Sequence, residues 1–421
     1  MTHKESSCSV FPKRFFPILF GAAALIAAFA IAPRPAISCA AAQTSAPTET
    51  GIDVLEQQNF APLRGKHVGL ITNQTGVDSQ GRRTIDVLAH AEGLKLVALF
   101  NPEHGIEGKA DAAVENATDV GTGLTIYSLF GKTQKPTDQM LQGIDALVFD
   151  IQGAGVRFYT YVTTMGYAME AASKHNIPFF VLDRPDPLGG EKIVGPMLDR
   201  ERISFVGYFP MPLMYAMTMG ELAKMFNAEN QTGTDLQVIA MKNWHRSQTY
   251  DQTGLKWVPP SPNLRTVNQA FLYPGVEILQ PTGVSVGRGT PTPFEELGAP
   301  WIQSDALMRS LEPRNVPGIR FTATSFTPSN GLYSGNLCNG VRIEITDRNT
   351  FNPVRMGLEI ADALHRQYPE RFQIIKLADL LGSEAAVEDL IHYKSPAEII
   401  ESWDNDLKAF RTLRAKYLIY D

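Results

Sequence analysis

The chain has 421 residues, a length that suits roughly two to three domains of about 150 residues each. Hydrophobic residues make up 44% of it and charged residues 19%, so the chain can bury a sizeable core and is not of the disordered class. The formal net charge is −6 and no run rich in lysine or arginine occurs, so a nucleic-acid partner is not expected; three cysteines cannot build a disulfide framework.

The first 42 residues predict a secretory signal peptide. Two basic residues precede an apolar stretch at 15–32, and small residues follow it, as at a cleavage site. An uncleaved membrane anchor and a lipoprotein modified at Cys39 are the alternatives. Residues 43–50 form a polar linker, and no later apolar run reaches the roughly 18 residues that span a membrane. We therefore expect an exported protein, periplasmic or extracellular, without a membrane span after cleavage.

Short apolar runs alternate with helical patterns after residue 65. Strands are predicted at 67–73, 94–100, 145–151, 177–183 and 236–241, and helices at 84–92, 161–175 and 217–230. This alternation predicts a parallel sheet covered on both faces, in a Rossmann-like α/β domain over residues 51–265. Ligands of such sheets bind beyond the carboxyl ends of the strands, so the polar residues there are the first candidates for a site.

The second half of the chain has a different pattern. Prolines interrupt residues 245–315, and alternating strand-like segments follow at 318–326 and 339–347. Residues 353–369 and much of 384–417 have helical periodicity. We predict a second, smaller α/β or α+β domain over residues 266–421.

The second predicted strand runs directly into Asn101, Pro102, Glu103, His104 and Gly105. Pro102 restricts the residue before it to an extended shape, and Gly105 permits a tight turn. Glu103 is thus expected on a constrained turn beside His104, at the functional end of the sheet. A carboxyl group there suits general acid catalysis when burial or a like charge favours its protonated form. A loop carboxylate that only caps the turn is the alternative.

The end of the third predicted strand carries a group of polar side chains: Asp150, Gln152, Arg157, Tyr159 and Tyr161. Carboxylate, amide and tyrosine groups are suitable hydrogen-bond partners for sugar hydroxyls. The fork of donors of Arg157 suits a ligand carboxylate. An internal salt bridge between Asp150 and Arg157 is the alternative.

The strand at 177–183 ends in Asp183 and Arg184, which either bind a ligand or pair with each other. Asn73, which follows the first strand, is a further candidate for substrate binding. These residues would extend the site along the same edge of the sheet.

Residues 283–287 match the GxSxG nucleophile elbow around Ser285, which makes a serine hydrolase an alternative function. That motif requires a helix directly after it, and Pro291 and Pro293 prevent one. A glycine-rich loop that presents Arg288 to an anionic group is the better interpretation. The chain lacks a P-loop, a GxGxxG after the first strand and HExxH, so we expect no cofactor and no metal.

Eight motifs, in the same order, resemble the NamZ-type exo-β-N-acetylmuramidases. They are GLITNQTGVD, LFNPEHGIEG, FDIQGAGVRFYTY, LDRPDPLGG, MTMGELAKMFN, PSPNL, SVGRGTPTPFEELGAPW and ITDRNTFNPVRMGLEIADALHRQYP. The resemblance implies release of N-acetylmuramic acid from the non-reducing end of peptidoglycan fragments. It also implies a Rossmann-like N-terminal domain, a smaller C-terminal domain and a cleft between them.

The resemblance also assigns roles to residues. The PEHG glutamate, the family's catalytic acid, falls on Glu103, and the DIQ aspartate falls on Asp150, our first candidate for the second catalytic group. The substrate's own 2-acetamido oxygen is an alternative to a protein nucleophile. The other residues implied by the family's motifs are Arg157, Tyr159, Tyr161, Arg288 and Glu295. Arg157 and Arg288 are the candidates for the lactyl carboxylate.

The chain departs from the family's motifs at four positions. Gly153 replaces an aspartate, Gln280 replaces a glutamate, and Met214 and Tyr215 replace an Arg-His pair. Two carboxylates are therefore absent, and Glu277 is a candidate replacement because it lies close to position 280. An exported sugar-binding protein without turnover is the resulting alternative function.

Overall fold

The computed structural model describes residues 46–110 and 112–421. The predicted signal peptide and the first residues of the predicted linker lie outside these ranges. Within them, no helix combines the length and the apolar character needed to cross a membrane.

Seven strands form one large sheet in the described part of the chain. They are β1 (His67–Thr72), β2 (Lys95–Asn101), β3 (Ala117–Thr118), β4 (Thr125–Ser128), β5 (Ala146–Asp150), β6 (Phe179–Leu182) and β9 (Leu236–Ile239). Their order is β3-β4-β2-β1-β5-β6-β9, and every neighbouring pair is parallel except β3 with β4. The predicted α/β class is confirmed, and each of the five predicted strands is present.

Alternate side chains of these strands enter two separate cores. Leu147 and Phe149 of β5 belong to one buried cluster, while Ala146 and Val148 belong to the other. Period-two alternation with both faces apolar is the pattern of a parallel sheet covered on both sides. Hydrophobic burial on both faces therefore fixes the sheet rigidly and leaves its carboxyl edge for the site.

Eleven α-helices are present in the described ranges, and several confirm the sequence prediction. They are α1 (Gly51–Gln57), α2 (Thr84–Ala89), α3 (Tyr161–Lys174), α4 (Met219–Glu229), α5 (Val267–Val276), α6 (Ser304–Leu311), α7 (Pro353–Gln367), α8 (Ala378–Leu381), α9 (Glu384–Ile391), α10 (Pro396–Glu401) and α11 (Asp404–Arg414). The start of α4 is set by a capping box, in which the side chains of Thr218 and Glu221 satisfy each other's backbone N–H groups.

Two smaller antiparallel sheets complete the fold of the described residues. One has the order β10-β12-β11, and the other pairs β7 with β8. Their strands are β7 (Val194–Met197), β8 (Pro212–Met214), β10 (Glu296–Ala299), β11 (Ile319–Phe326) and β12 (Cys338–Ile345). The two strands predicted in the second half of the chain are therefore present as β11 and β12.

The proline-rich region at 245–315 is more ordered than the sequence suggests. It contains α5, whose first turn is capped by Thr266 and Gln269 and which keeps Pro274 inside the helix. A 3₁₀ helix, Glu277–Thr282, continues it directly. Because a proline inside a helical pattern usually ends the helix, α5 was not predicted from the sequence. The predicted domain boundary near residue 265 stays a prediction, since buried side chains from both sides of this boundary belong to one hydrophobic core.

Candidate active site

A cavity of about 700 Å³ opens at the carboxyl end of the large sheet. Loops after β2 and β5 form one wall, and α5 with the loops around β10 and β11 forms the other. Polar and aromatic residues in its lining are Glu103, His104, Phe158, Tyr159, Thr160, Ser261, Asn263, Tyr273, Glu277, Gln280, Ser285, Arg288 and Asn330. A half-enclosed cavity of this size is typical of a small-molecule site.

Glu103 lies on the sharp turn that the sequence predicts after β2. His104 and Gly105 both adopt the left-handed backbone conformation, with φ of 70° and 75°. This conformation is uncommon for a residue other than glycine and often occurs at functional sites. The hydroxyl of Thr160 donates to Oε2 of Glu103 at 2.5 Å, and Nδ1 of His104 lies 2.6 Å from the carbonyl oxygen of Ala110. The half-buried Glu103 side chain is thus held in the cavity wall.

Three tyrosines support this wall. The rings of Tyr159 and Tyr161 meet edge to face with centroids 4.6 Å apart, and Tyr273 packs against Tyr159 at 6.1 Å. Tyr161 donates its hydroxyl to the carbonyl oxygen of Pro260 at 2.7 Å. Burial raises the pKa of all three phenols well above the usual value, and the charge of Glu103 adds to this effect. Their hydroxyls therefore stay protonated.

Glu277 is a second carboxylate in the cavity lining. It begins the 3₁₀ helix after α5, and only 5% of the residue is exposed. Nη2 of Arg288 donates to its Oε1 at 2.5 Å, while its Oε2 is buried and has no hydrogen-bond partner in the described structure. Burial raises the pKa of Glu277, Arg288 opposes this shift, and the charge of Glu103 reinforces it.

The loop that carries Arg288 depends on two glycines. Gly287 and Gly289 have φ of 76° and 80°, and a Cβ at position 287 would come within 2.9 Å of the carbonyl oxygen of Glu296. The backbone of Ser285 pairs with Gly298, and turns follow it as far as β10. The helix that a nucleophile elbow requires is therefore missing from this described segment, which argues against the serine-hydrolase alternative.

Asp150 lies in the interior rather than in the cavity lining. It is fully buried, and both of its oxygens bind Arg184, from Nε at 2.5 Å and from Nη2 at 2.9 Å. The hydroxyl of Thr84 adds a third bond to the carboxylate at 2.5 Å. The partner of Asp150 is therefore neither Arg157 nor a ligand, and Arg184 pairs with Asp150 rather than with Asp183.

Arg157 is also internal. Its guanidinium donates to the carbonyl oxygens of Met211 at 2.7 Å and Leu381 at 2.6 Å, and its side chain is fully buried. Burial lowers its pKa to about 9. Arg157 thus joins backbone segments that are distant in sequence, and of the two arginines expected to bind a lactyl carboxylate, Arg288 is the one that lines the cavity.

Asp183 caps the start of α4. It accepts from the backbone N–H of Gly220 at 2.8 Å and from the hydroxyls of Thr218 and Tyr420 at 2.7 and 2.6 Å. Burial raises its pKa to about 6. These bonds take up the carboxylate, so the structure gives Asp183 a place in the interior rather than in the cavity.

Three more predicted residues lie behind the lining. Oδ1 of Asn73 accepts from the backbone N–H of Thr75 at 2.9 Å, and Nε2 of Gln152 donates to the carbonyl oxygen of Pro185 at 2.7 Å. Glu295 accepts from Gln269 at 3.2 Å. Each therefore stabilises a loop near the site without entering the cavity lining.

Sequence reasoning missed Thr160, Asn263 and Asn330 in the lining. Thr160 lies between Tyr159 and Tyr161, which were both predicted as site residues, so its position in that motif could have identified it. Among the departures from the family's motifs, Gln280 lines the cavity, whereas a Cβ on Gly153 would contact Met219 at 3.2 Å. The substitution at position 280 is therefore the one that changes the cavity.

The chain matches two domains described for one family. Residues 68–268 match "Exo-beta-N-acetylmuramidase NamZ, N-terminal" and residues 271–420 match the C-terminal domain of the same description. A curated relative from Bacillus subtilis (strain 168), the peptidoglycan β-N-acetylmuramidase NamZ, is 46% identical over 377 residues, which cover 88% of this chain and 91% of the relative.

Two crystal structures of DUF1343 family proteins from Bacteroides fragilis NCTC 9343 have a similar fold. The first has a TM-score of 0.83 and 40% identity, and the second a TM-score of 0.74 and 31% identity. Each comparison covers 89% of this chain and 99% of the other. The overall fold is thus shared with solved structures.

Proposed function

The chain belongs to the NamZ family of exo-β-N-acetylmuramidases, and we propose that it releases N-acetylmuramic acid from the non-reducing end of peptidoglycan fragments with Glu103 as the general acid. As a family member it is a glycosidase. The proposed substrate class follows from the activity of the curated relative. The position of Glu103 in the cavity lining supports its proposed role.

The reaction requires a proton donor at the glycosidic oxygen. Cleavage passes through a transition state with oxocarbenium character, and a carboxylic acid that protonates the leaving oxygen lowers the barrier. The observation that carries the proposal is the placement of Glu103: it lines the cavity, and Thr160 fixes one of its carboxyl oxygens. The other oxygen is then available to the substrate.

The rest of the lining suits a saccharide. Tyr159 and Tyr273 contribute aromatic surface, and Asn263, Gln280 and Asn330 contribute amide groups. Sugars combine apolar ring faces with hydroxyl groups, so aromatic and amide side chains bind complementary parts of the same molecule.

We also propose that the protein is exported and acts in the periplasm or outside the cell. Peptidoglycan lies outside the cytoplasmic membrane, and the sequence of the first 42 residues has the pattern of a secretory signal. Fractionation of cells that produce the full chain tests this proposal. Recovery of the protein in the cytoplasmic fraction would contradict it.

Glu103→Gln tests the function. The amide cannot donate a carboxylic acid proton, so we expect kcat on a chromogenic β-N-acetylmuramic acid glycoside to fall by about 10²- to 10⁴-fold. The melting temperature should not change, because the oxygen of the introduced amide can still accept from Thr160. Activity close to that of the parent would remove Glu103 from its role.

Glu107→Gln is the matched control. Glu107 follows on the same loop but is exposed and pairs with Lys109 at 2.6 Å. We expect wild-type activity from this variant. If the parent protein binds N-acetylmuramic acid by calorimetry but releases no chromophore, the sugar-binding alternative is correct instead.

A further inference from the structure

The cavity contains two carboxylates that come from opposite walls. Glu103 follows β2 of the large sheet, and Glu277 begins the 3₁₀ helix after α5. Among the described lining residues, no other side chain is acidic. Burial raises the pKa of Glu277, and the charge of Glu103 in the same cavity lining adds to this shift.

The hydrogen bonding of Glu277 is incomplete. Arg288 holds Oε1, but Oε2 is buried and no group in the described structure donates to it. A buried acceptor without a partner destabilises the folded state, and a charged acceptor does so more strongly than a neutral one. Since Glu277 lines the cavity, a bound molecule is the donor that can satisfy this oxygen.

Asp150 does not fit the same role. Its carboxylate is fully buried and binds Arg184 and Thr84 through both oxygens. No acceptor position on it is left for a substrate or a water molecule. Of the two carboxylates considered for the second group, only Glu277 has both access to the cavity and a free acceptor.

We propose that Glu277 is the second catalytic carboxylate, oriented by Arg288, and that it accepts a proton from the water that attacks the anomeric carbon. This inference rests on the proposed function. Gln280 and Glu277 lie three residues apart on the 3₁₀ helix and both line the cavity. Glu277 therefore supplies from the same helical turn the carboxylate that position 280 lacks.

The step balances as a single displacement. Glu103 gives its proton to the glycosidic oxygen while the bond from that oxygen to the anomeric carbon breaks, and the remaining saccharide leaves as an alcohol. The water oxygen bonds to the anomeric carbon, and Glu277 takes the proton that the water loses. Burial makes Glu277 a stronger base, which favours this proton transfer.

Glu277→Gln is the direct test. We expect kcat on the chromogenic muramic acid glycoside to fall by about 10²- to 10⁴-fold with little change in KM, and the acidic limb of the pH profile to disappear. Proton NMR of the wild-type reaction should show the released sugar first as the α-anomer, since single displacement inverts a β-glycoside. Initial release of the β-anomer would overturn the role as base.

The double variant Glu277→Gln/Gln280→Glu tests whether a carboxylate at position 280 can replace the one at position 277. Because position 280 lines the same cavity, we expect it to recover activity by about tenfold or more over Glu277→Gln. Glu344→Gln is the matched control, since that exposed carboxylate pairs with Arg320 at 2.5 Å and lies outside the cavity lining. It should keep wild-type kcat.

The outcomes separate this inference from the function on which it depends. An inactive parent, or an active Glu103→Gln variant, contradicts the proposed function. An active parent with an inactive Glu103→Gln variant and a fully active Glu277→Gln variant contradicts the role of Glu277 alone. If Glu277→Gln does not fold, Glu277→Asp keeps the charge and draws the carboxyl back by one methylene, and wild-type kcat in that variant would overturn the proposal.

Discussion

Two arginine–carboxylate pairs in this molecule have the same chemistry and opposite environments. Asp150 and Arg184 are 0% and 3% exposed at their side chains, and both oxygens of the carboxylate are bonded. In the pair of Glu277 and Arg288, the arginine side chain is 30% exposed and one carboxylate oxygen has no partner in the described structure. The carboxylate of the first pair has donors for both oxygens, whereas that of the second lines the cavity and has one buried oxygen without a donor.

This difference shows why the end of a strand is not sufficient to identify a site. Asp150 is the last residue of β5, and Asp183 and Arg184 follow β6 at the same carboxyl edge of the sheet. Their side chains nonetheless bind other groups of the protein rather than a ligand, because a buried charge is stable only when it is paired and hydrogen-bonded. Glu277 differs from these carboxylates because it lines the cavity and one of its oxygens lacks a donor in the described structure.

The largest effect is expected from removing the carboxylate of the pair of Asp150 and Arg184. Asp150→Ala leaves the buried Arg184 guanidinium without its counter-charge, which should lower the free energy of unfolding by about 3–5 kcal/mol. Urea denaturation measures this loss. Glu277→Gln should change the same quantity by no more than about 1 kcal/mol, because the partly exposed Arg288 can be hydrated. Equal stability losses in the two variants would abolish the distinction between the pairs.

A third buried carboxyl group, that of Asp186, should make the stability of the protein depend on pH. Asp186 is 3% exposed, and burial raises its pKa to about 7 from an ordinary 3.8, with Glu221 adding to the shift and Arg246 opposing it. Between these values the folded state binds the proton and the unfolded state does not. The stability contributed by this proton is therefore present at low pH and is lost as the pH rises towards 7, at up to about 1.4 kcal/mol per pH unit.

Asp186→Asn resembles the protonated form and should remove this dependence. We expect the variant to match the wild type near pH 4 and to exceed its stability at pH 8. Urea titrations at the two pH values provide the measurement. A stability difference that is the same at both would show that Asp186 does not change its protonation on folding.

The smallest effect is expected from a substitution in the pair of Glu277 and Arg288 that keeps both charges. Arg288→Lys keeps the positive charge but loses the planar fork that orients Glu277, so kcat should fall roughly tenfold. The melting temperature should stay within about 2 °C, because the site is partly exposed. Steady-state kinetics and thermal denaturation of the same preparation check both expectations, and unchanged kcat would show that Arg288 does not orient Glu277.

The strands of the large sheet could be predicted because their side chains are apolar on both faces. The sequence missed β3 and β4, which are short and partly exposed at the edge of the sheet. It also missed α5, since Pro274 inside that helix resembles a helix-ending signal. Packing against the rest of the core outweighs local preference at such elements.

The alternation of strands and helices and the turn that carries Glu103 could be predicted from the order of residues, because Pro102, His104 and Gly105 lie close to Glu103 in the chain and act through local backbone geometry. Which carboxylate pairs with which arginine became known only from the folded structure. Asp150 binds Arg184 because adjacent strands place the two residues side by side. Glu103 and Glu277 come from distant segments of the chain and line the same cavity. Such pairings depend on burial and on three-dimensional proximity, and neither is encoded in the spacing of residues along the chain.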